Sequence, residues 1–219
     1  PPRYAAPQGV ATPAPSDEFA VCGRMVHAER TGLRSGREAV DVDDPDGWGS
    51  TLDAITHESA SLPQRICELC VQMLGVTGAG LSMVAANGDR GVVCSTDDVA
   101  ARIEDLQITL GEGPCIDAVQ TGAPVLVRNL HEPDDIAVER WPAFMEGAAA
   151  VGVRAVFAFP LRIGAIRVGA LELYRDRAGE LDRDQLQAVR RAAEAAASAL
   201  LQLGLGASDC LSDSLDGPA

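Results

Sequence analysis

The segment Leu110-Gly-Glu-Gly-Pro-Cys-Ile-Asp-Ala-Val-Gln-Thr-Gly-Ala-Pro-Val-Leu-Val127 decides how the chain folds. Its two glycines and proline, residues 111–114, predict a tight loop that opens a short helix, because glycine tolerates positive φ and proline suits a first helical turn. The helix is expected to end at Gly122, and a strand is expected over Val125–Val127. Cys115 stands at the mouth of the loop and is therefore a candidate functional residue.

Composition limits what the chain can bind. The 219 residues include 32 acidic and 18 basic residues, every basic residue is an arginine, and the formal net charge is −14. Binding to nucleic-acid phosphates needs clustered basic side chains, and an anionic membrane repels an acidic protein. We therefore expect no direct binding of nucleic acid and no association with a membrane.

The sequence also indicates a compartment. No apolar run reaches the length of a membrane span, and the first residues lack the basic-then-apolar pattern of a signal peptide. The six cysteines are scattered rather than spaced as in a small disulfide-bonded domain. A cytoplasmic, reducing setting is the expectation.

One folded domain is predicted between two tails. Residues 1–48 are rich in proline, arginine and glycine and lack an apolar period, so burial cannot offset the entropy of ordering them. Residues 205–219 are polar and are expected to form a flexible tail. Residues 49–204 carry the regular patterns and are expected to form the domain.

Apolar periodicity within residues 49–204 predicts alternating helices and strands. A first helix starts at Leu62 and stops at Gly75, and Asn87-Gly88 predicts a hairpin turn. Asp182 and Gln185 have the spacing of a capping box at the start of the last helix. The other expected elements are strands over 79–86, 91–94, 125–127, 153–161 and 165–174, and helices capped by Ser95 or Thr96, opening after residue 113, and around 136–149. This order predicts an α+β fold with a mainly antiparallel sheet of five to six strands and helices on both faces.

Three parts of this pattern resemble the GAF domain family. Val76–Val84 resembles the entry strand, and Leu110–Val119 is similar to the segment found in actinobacterial regulators that combine GAF and ANTAR domains. Residues 152–161 and 164–173 resemble the last two strands. The resemblance covers about residues 50–204 and implies a small-molecule sensing domain. The short segment after the last helix leaves no room for the RNA-binding ANTAR domain, so an RNA output is not expected from this chain.

The resemblance leaves any cofactor unidentified. The lysine of the cyclic-nucleotide signature is absent from the chain, and so is the cysteine–histidine context of bilin attachment. His131 is followed closely by the acidic residues Glu132 and Asp134, and it is expected to face solvent rather than to bind haem. Cys67 and Cys70 form a CxxC pair without the other ligands that a metal needs, so they are expected to pack in the core and no metal site is predicted.

Cys115 has two interpretations. Backbone amides at a helix start would lower the pKa of its thiol and make it reactive, whereas a buried cysteine packs as a small apolar residue. The second interpretation is favoured. The loop also resembles that of the free methionine sulfoxide reductases, which share the GAF fold, with Cys115 matching the loop cysteine. The other active cysteines of that family have no match in this chain.

The resemblance implies a ligand pocket between one sheet face and the helical segment before the last hairpin. Trp141 and Phe144 belong to that segment, and Phe157 and Phe159 share a sheet face because strand side chains alternate. A fully packed core is an equally open alternative. The predicted ligand-binding residues are Met83, Cys94, Cys115, Trp141, Phe144, Phe157 and Phe159.

The last helix carries an apolar heptad stripe, which favours a homodimer. The alternative is that the stripe covers the sheet of its own chain. The residues of the stripe are Leu186, Val189, Ala193, Ala196, Leu200 and Leu203.

Together these patterns predict a sensing domain rather than an enzyme. It would bind a small molecule or a redox signal and pass the change to a dimeric helix, in transcriptional or signalling regulation. The alternatives are a methionine sulfoxide reductase that uses Cys115 and a ligand-free dimerisation module.

Overall fold

The computed structural model describes residues 62–85, 88–132 and 139–212, with side chains described as far as Gln202. Within these ranges the chain forms five helices and five strands. The helices are α1 Leu62–Leu74, α2 Asp98–Leu110, α3 Pro114–Thr121, α4 Pro142–Ala150 and α5 Arg183–Ser212. The strands are β1 Gly78–Val84, β2 Arg90–Ser95, β3 Val125–Val127, β4 Ala155–Ile163 and β5 Ile166–Arg175.

The predicted elements in these ranges are present. Most differ only slightly at their ends, but α5 continues to Ser212, into the segment 205–219 that was expected to be a flexible tail. Helix α2 is capped by Asp97, which accepts from the backbone N–H groups of Val99 and Ala100 at 2.9 Å, and not by Ser95 or Thr96 as predicted. The hydroxyl of Thr96 instead donates to Asp97. The predicted tail over 1–48 and Asn87 of the predicted turn lie outside the described residues. None of the described helices combines the length and apolar character needed to cross a membrane.

The five strands form one sheet in the order β2-β1-β5-β4-β3, and all neighbours are antiparallel. The central strand β5 pairs with β1 on one side and with β4 on the other. Glu172 of β5 stands directly between Gly80 of β1 and Ala158 of β4. Because side chains alternate along each strand, these three residues share one face of the sheet.

One face of the sheet, called here the helix-pair face, is covered by α1 and α5 and is mostly apolar. Its one buried charged residue in the described part is Arg175 of β5, which stacks on the ring of Phe157 and donates to the carbonyl of Leu74. Large buried side chains of β4 and β5 meet the apolar side of both helices. This cluster buries most of the aromatic and leucine side chains of the sheet. Its sheet members include Ala79, Leu81, Cys94, Ala155, Phe157, Phe159, Leu161, Leu171 and Leu173.

The opposite face, called here the three-helix face, is covered by α2, α3 and α4. Its strands present small residues where the helix-pair face presents large ones, including Gly80, Ser82, Ala158 and Ala170. A Cβ at Gly80 would lie 3.1 Å from Cγ of Glu104, so the helix side chain occupies the space that this glycine leaves. The small residues therefore make room for long polar side chains from α2.

The heptad stripe of α5 lies on the sheet of its own chain. Four of its residues, Val189, Ala193, Ala196 and Leu200, belong to the core of the helix-pair face, and Leu186 packs partly buried against that core. The side chain of Leu203 lies outside the described part. A dimer interface formed by the four buried residues is therefore a wrong prediction, because sheet contacts already cover them. The predicted capping box is present, since Asp182 and Gln185 exchange hydrogen bonds of 2.9 and 2.8 Å.

Candidate functional site

Helix α2 brings two polar side chains to the inside of the domain. The helix begins at the Asp97 cap and ends at Gly111, whose φ of 69° closes the last turn. Its buried side carries Glu104 and Gln107 in positions that apolar residues would normally occupy. Both side chains are about 1% exposed. Helix α2 thus presents a carboxyl and a carboxamide to the sheet.

The glycine loop before α3 fixes Cys115 beside this pair. Gly113 has a φ of 135°, and a Cβ there would lie 2.5 Å from Oε1 of Gln107, so only glycine fits. The backbone N–H of Cys115 donates to the same Oε1 at 2.8 Å. The Gly-Glu-Gly-Pro loop therefore locks the start of α3 onto Gln107 of α2.

Strand β5 completes the group with Glu172. Nε2 of Gln107 donates to both carboxylate oxygens of Glu172, at 2.8 and 2.9 Å, and the Cys115 thiol donates to the same carboxylate. Glu104, Cys115 and Glu172 each have one atom of a kind that binds metal ions, and these three atoms lie within 4.8 Å of one another. We call Glu104, Gln107, Cys115 and Glu172 the acid–thiol cluster.

Burial changes the acidity of every titratable group in the acid–thiol cluster. Burial, followed by the charge of Glu172, raises the pKa of Glu104 well above its usual value, and a hydrogen bond from Ser82 opposes this only in part. Burial also raises the pKa of Glu172 to about 7, although hydrogen bonds from Gln107 and Cys115 lower it. Oε1 of Glu104 is buried without a hydrogen-bond partner in the described part of the chain.

The thiol of Cys115 behaves in the opposite way to a reactive cysteine. Cys115 is 2% exposed, and burial, followed by the charges of Glu172 and Glu104, raises its pKa well above the usual value. The helix start does not lower the pKa of this thiol, because the two neighbouring carboxyl groups and the loss of solvent dominate. The lowered pKa considered from the sequence is therefore wrong, and the packed interpretation fits the burial.

Two further carboxylates of the same segment hold α4 over this face. Oε1 of Glu112 accepts from the N–H groups of Ala143 and Phe144 at 2.8 and 3.0 Å, capping α4 from a distant loop. Oδ2 of Asp117 accepts from the indole N–H of Trp141 at 3.0 Å and pairs with Arg140 at 2.6 Å. The covering helix is thus tied to the loop that carries Cys115.

The structure separates the predicted ligand-binding residues into two groups. Cys115, Trp141 and Phe144 lie on the three-helix face, whereas Met83, Cys94, Phe157 and Phe159 lie on the helix-pair face. One pocket lined by all seven is a wrong prediction, because the sheet stands between the groups. Whether either group binds a ligand stays a prediction.

Cys67, Cys70 and His131 lie as the sequence predicted, whereas Cys94 lies apart from Cys115. Sγ of Cys94 is 3.7 Å from Sγ of Cys67 inside the helix-pair core, and Cys70 is fully buried in the same core. His131 is exposed. Neither the CxxC pair nor His131 therefore contributes to the acid–thiol cluster.

Sequence reasoning missed the polar members of the acid–thiol cluster. Glu172 interrupts an apolar strand at a position whose neighbours Leu171 and Leu173 face the other core. Glu104 and Gln107 lie on the same buried side of α2 as the apolar residue Ile103. Polar residues at core positions were the signal, because a buried polar group costs free energy unless it has partners.

Comparisons with known proteins agree with this fold. A family model described as "GAF domain" matches residues 56–201. The GAF domain of a phosphoenolpyruvate-protein phosphotransferase from Coxiella burnetii is similar, with 13% identity, a TM-score of 0.54, and 76% of this chain and 99% of that chain covered. A domain assigned to a two-component sensor histidine kinase from Sinorhizobium meliloti 1021 has 13% identity and a TM-score of 0.52, covering 65% of this chain and 90% of that chain.

An enzyme shares the same fold. The free methionine-R-sulfoxide reductase from Neisseria meningitidis, solved in complex with its substrate, has 13% identity and a TM-score of 0.51. The likeness covers 77% of this chain and 96% of that chain. No curated protein matches the chain significantly. At these identities the solved structures share a fold with the chain and carry no information on its ligand.

Proposed function

Because the chain belongs to the GAF domain family, whose members are sensor and regulatory domains, we propose that it senses a small molecule or a redox signal on its three-helix face. The acid–thiol cluster is the sensing site in this proposal. Binding there changes the position of the covering segment and of the sheet, and the change passes to α5. The role is regulatory rather than catalytic, in line with the actinobacterial regulators that the sequence resembles.

The observation that carries this proposal is the unpaired oxygen of Glu104. A buried carboxyl group next to a second one costs stability, and leaving one of its oxygens without a partner adds to that cost by about 1–3 kcal/mol. An apolar side chain at residue 104 would fill the same space without this cost. A buried carboxyl group that lowers the stability of the fold is better explained by a ligand that it binds.

The sheet offers a path from the sensing site to α5. Glu172 faces the acid–thiol cluster, while its strand neighbours Leu171 and Leu173 face the core shared with α5. A shift of β5 on ligand binding would therefore be felt by α5 on the other side. A ligand that prefers one arrangement of β5 biases the population of α5 conformations. Assembly as a homodimer and a cytoplasmic setting stay predictions.

The test first identifies any bound molecule and then measures which segments change their hydrogen exchange when it binds. The chain is purified under native conditions and its intact mass is measured before and after denaturation, so that a co-purified molecule is seen directly. Hydrogen exchange is then compared with and without that molecule. We expect slower exchange in residues 111–121 and 142–150 and a change in 183–202.

A matched variant makes this test specific. Glu104→Gln keeps the size of the side chain but removes its ability to ionise, and should weaken retention of the molecule, whereas Glu68→Gln changes an exposed glutamate of α1 and should not. A molecule retained equally by both variants, or protection confined to the helix-pair face, would refute the proposed sensing site. A chain that retains no molecule and shows no exchange change with any tested ligand would favour the ligand-free dimerisation module.

The reductase alternative would need a second thiol near Cys115, and none lies there among the described residues. Of the four cysteines in the described part of the chain, Cys67, Cys70 and Cys94 all belong to the helix-pair core. Reduction of a sulfoxide by a thiol needs a partner that resolves the oxidised cysteine. Turnover of free methionine sulfoxide that is abolished by Cys115→Ser would nevertheless establish the enzyme and overturn the sensor.

A further inference from the structure

The acid–thiol cluster holds three side chains of the kinds that bind metal ions, brought together from three different elements. Glu104 comes from α2, Cys115 from α3 and Glu172 from β5, and one ligand atom of each lies within 4.8 Å of the other two. All three residues are almost completely buried. Exposed acidic groups often cluster without a ligand, but these are enclosed and come together only in the folded chain.

From this geometry we infer that Glu104, Cys115 and Glu172 bind one divalent transition-metal ion of the zinc class. The inference rests on the proposed function in one respect: it takes the acid–thiol cluster as the sensing site, and it names the class of signal. Ligand atoms around a tetrahedral zinc-class ion stand roughly 3.5 Å apart, as bond lengths of about 2.0–2.3 Å require. Closing these three atoms from their present separations, which are within 4.8 Å, to roughly 3.5 Å would therefore complete three of the four bonds.

The second observation is the unpartnered oxygen of Glu104. Oε1 is buried and has no hydrogen-bond partner in the described part of the chain, although Glu104 belongs to the same group as Glu172. Two buried carboxyl groups side by side repel each other when charged, and a cation removes that repulsion. A metal ion would give the unpaired oxygen a partner and neutralise both acids at once.

The donor set selects the class of ion. A thiolate with two carboxylates suits borderline ions such as Zn²⁺ and Co²⁺, whereas Ca²⁺ and Mg²⁺ require more oxygen ligands and do not favour sulfur. Binding requires the Cys115 thiol to lose its proton, which leaves to solvent together with any proton held by the carboxyl groups. Affinity should therefore rise with pH.

The surroundings already position the ligands. Gln107 holds both oxygens of Glu172 and the backbone N–H of Cys115, and Ser82 donates to Glu104. Such outer contacts fix the orientation of ligands, and their loss commonly lowers metal affinity by about 10–100-fold. Gln107 is therefore a positioning residue for two of the three ligands.

The test uses the full chain, freed of metal by chelation and kept reduced with a phosphine that does not bind metal. Co²⁺ is the probe, because cobalt bound to a thiolate gives a sulfur-to-cobalt charge-transfer band in the near ultraviolet. We expect one Co²⁺ per chain with this band, displaced by one equivalent of Zn²⁺. Cys115→Ser should abolish the band, and Glu104→Gln should weaken Co²⁺ binding at least about tenfold.

Cys94→Ser is the matched control, since it removes a buried thiol from the other face and should leave the band unchanged. Unfolding curves of each variant without metal show which ones keep the fold. Absence of the band in the folded wild-type chain, or a band that survives Cys115→Ser and disappears in Cys94→Ser, would overturn the inference. If no metal binds but a co-purified organic molecule protects residues 111–121 from exchange, the metal site fails and the sensor stands. If metal binds without changing exchange in α5, the metal site stands and the sensor fails.

Discussion

The two faces of the sheet are built by opposite rules. The helix-pair face places large apolar side chains against α1 and α5, and its core holds no buried acid among the described residues. The three-helix face has an apolar cluster around Val156 and Tyr174, but around Glu172 it places glycine, alanine and serine on the strands and fills the space with Glu104 and Gln107. The difference indicates that one face supplies the stability of the domain and the other gives some of it up for a site.

The largest expected effect is on the helix-pair face. Phe157→Ala removes a ring that is 1% exposed and leaves a cavity against α5, so we expect a loss of about 3–5 kcal/mol in the free energy of unfolding. Urea titration followed by circular dichroism measures it. Leu126→Ala in β3, where the side chain is 47% exposed, is the control and should cost less than about 1 kcal/mol. If Phe157→Ala lowers the free energy of unfolding as little as Leu126→Ala does, the helix-pair face does not supply the stability of the domain.

The pH dependence of stability should distinguish the faces next. The pKa of Glu172 is raised from 4.5 to about 7 on folding, so its carboxyl is protonated in both states below pH 4.5, and the folded state alone keeps the proton as the pH rises. Stability is therefore lost between about pH 4.5 and 7, by roughly 3 kcal/mol. Urea unfolding across this range should show the loss in the wild-type chain and a smaller one in Glu172→Gln. If the free energy of unfolding changes with pH by the same amount in both proteins, the predicted role of Glu172 is contradicted.

The same substitution on both faces gives a smaller but matched comparison. Cys70→Ser places a hydroxyl in the apolar core of the helix-pair face and should cost about 2 kcal/mol. Cys115→Ser keeps a donor for the carboxylate of Glu172 and should cost less than about 1 kcal/mol in metal-free protein. Thermal or urea unfolding of the pair measures the difference. Equal costs would mean that Cys115 is an ordinary core residue.

The sequence predicts the frame of this domain better than its site. The loop at residues 111–114, the capping box at Asp182 and the strand alternation each depend on neighbouring residues, so the elements follow from local patterns. Which face a strand residue takes is also local, and it places Phe157 and Phe159 correctly on one face together. Which helix covers that face depends on contacts distant in sequence, so the sequence places Phe157 in one pocket with Trp141, although the sheet separates them.

The acid–thiol cluster could not be assembled from the sequence because its contacts span long separations. Gln107 and Glu172 are 65 residues apart, and Glu112 reaches the start of α4 31 residues away. Each residue looks ordinary within its own element. Only the register that sets Glu172 between Gly80 and Ala158 shows that a space exists there.

The central claim is that the acid–thiol cluster is retained at the expense of folding, and Glu104→Gln tests it most directly. Its free energy of unfolding is measured by urea titration in chelated, metal-free buffer at pH 8 and pH 4.5, beside the wild-type chain. The raised pKa of Glu104 makes its carboxyl costly above pH 4.5, so the variant should be more stable than the wild-type chain at pH 8 by at least about 1 kcal/mol and nearly equal to it at pH 4.5. A variant that is less stable at both pH values would show that Glu104 serves the fold, and would contradict the account.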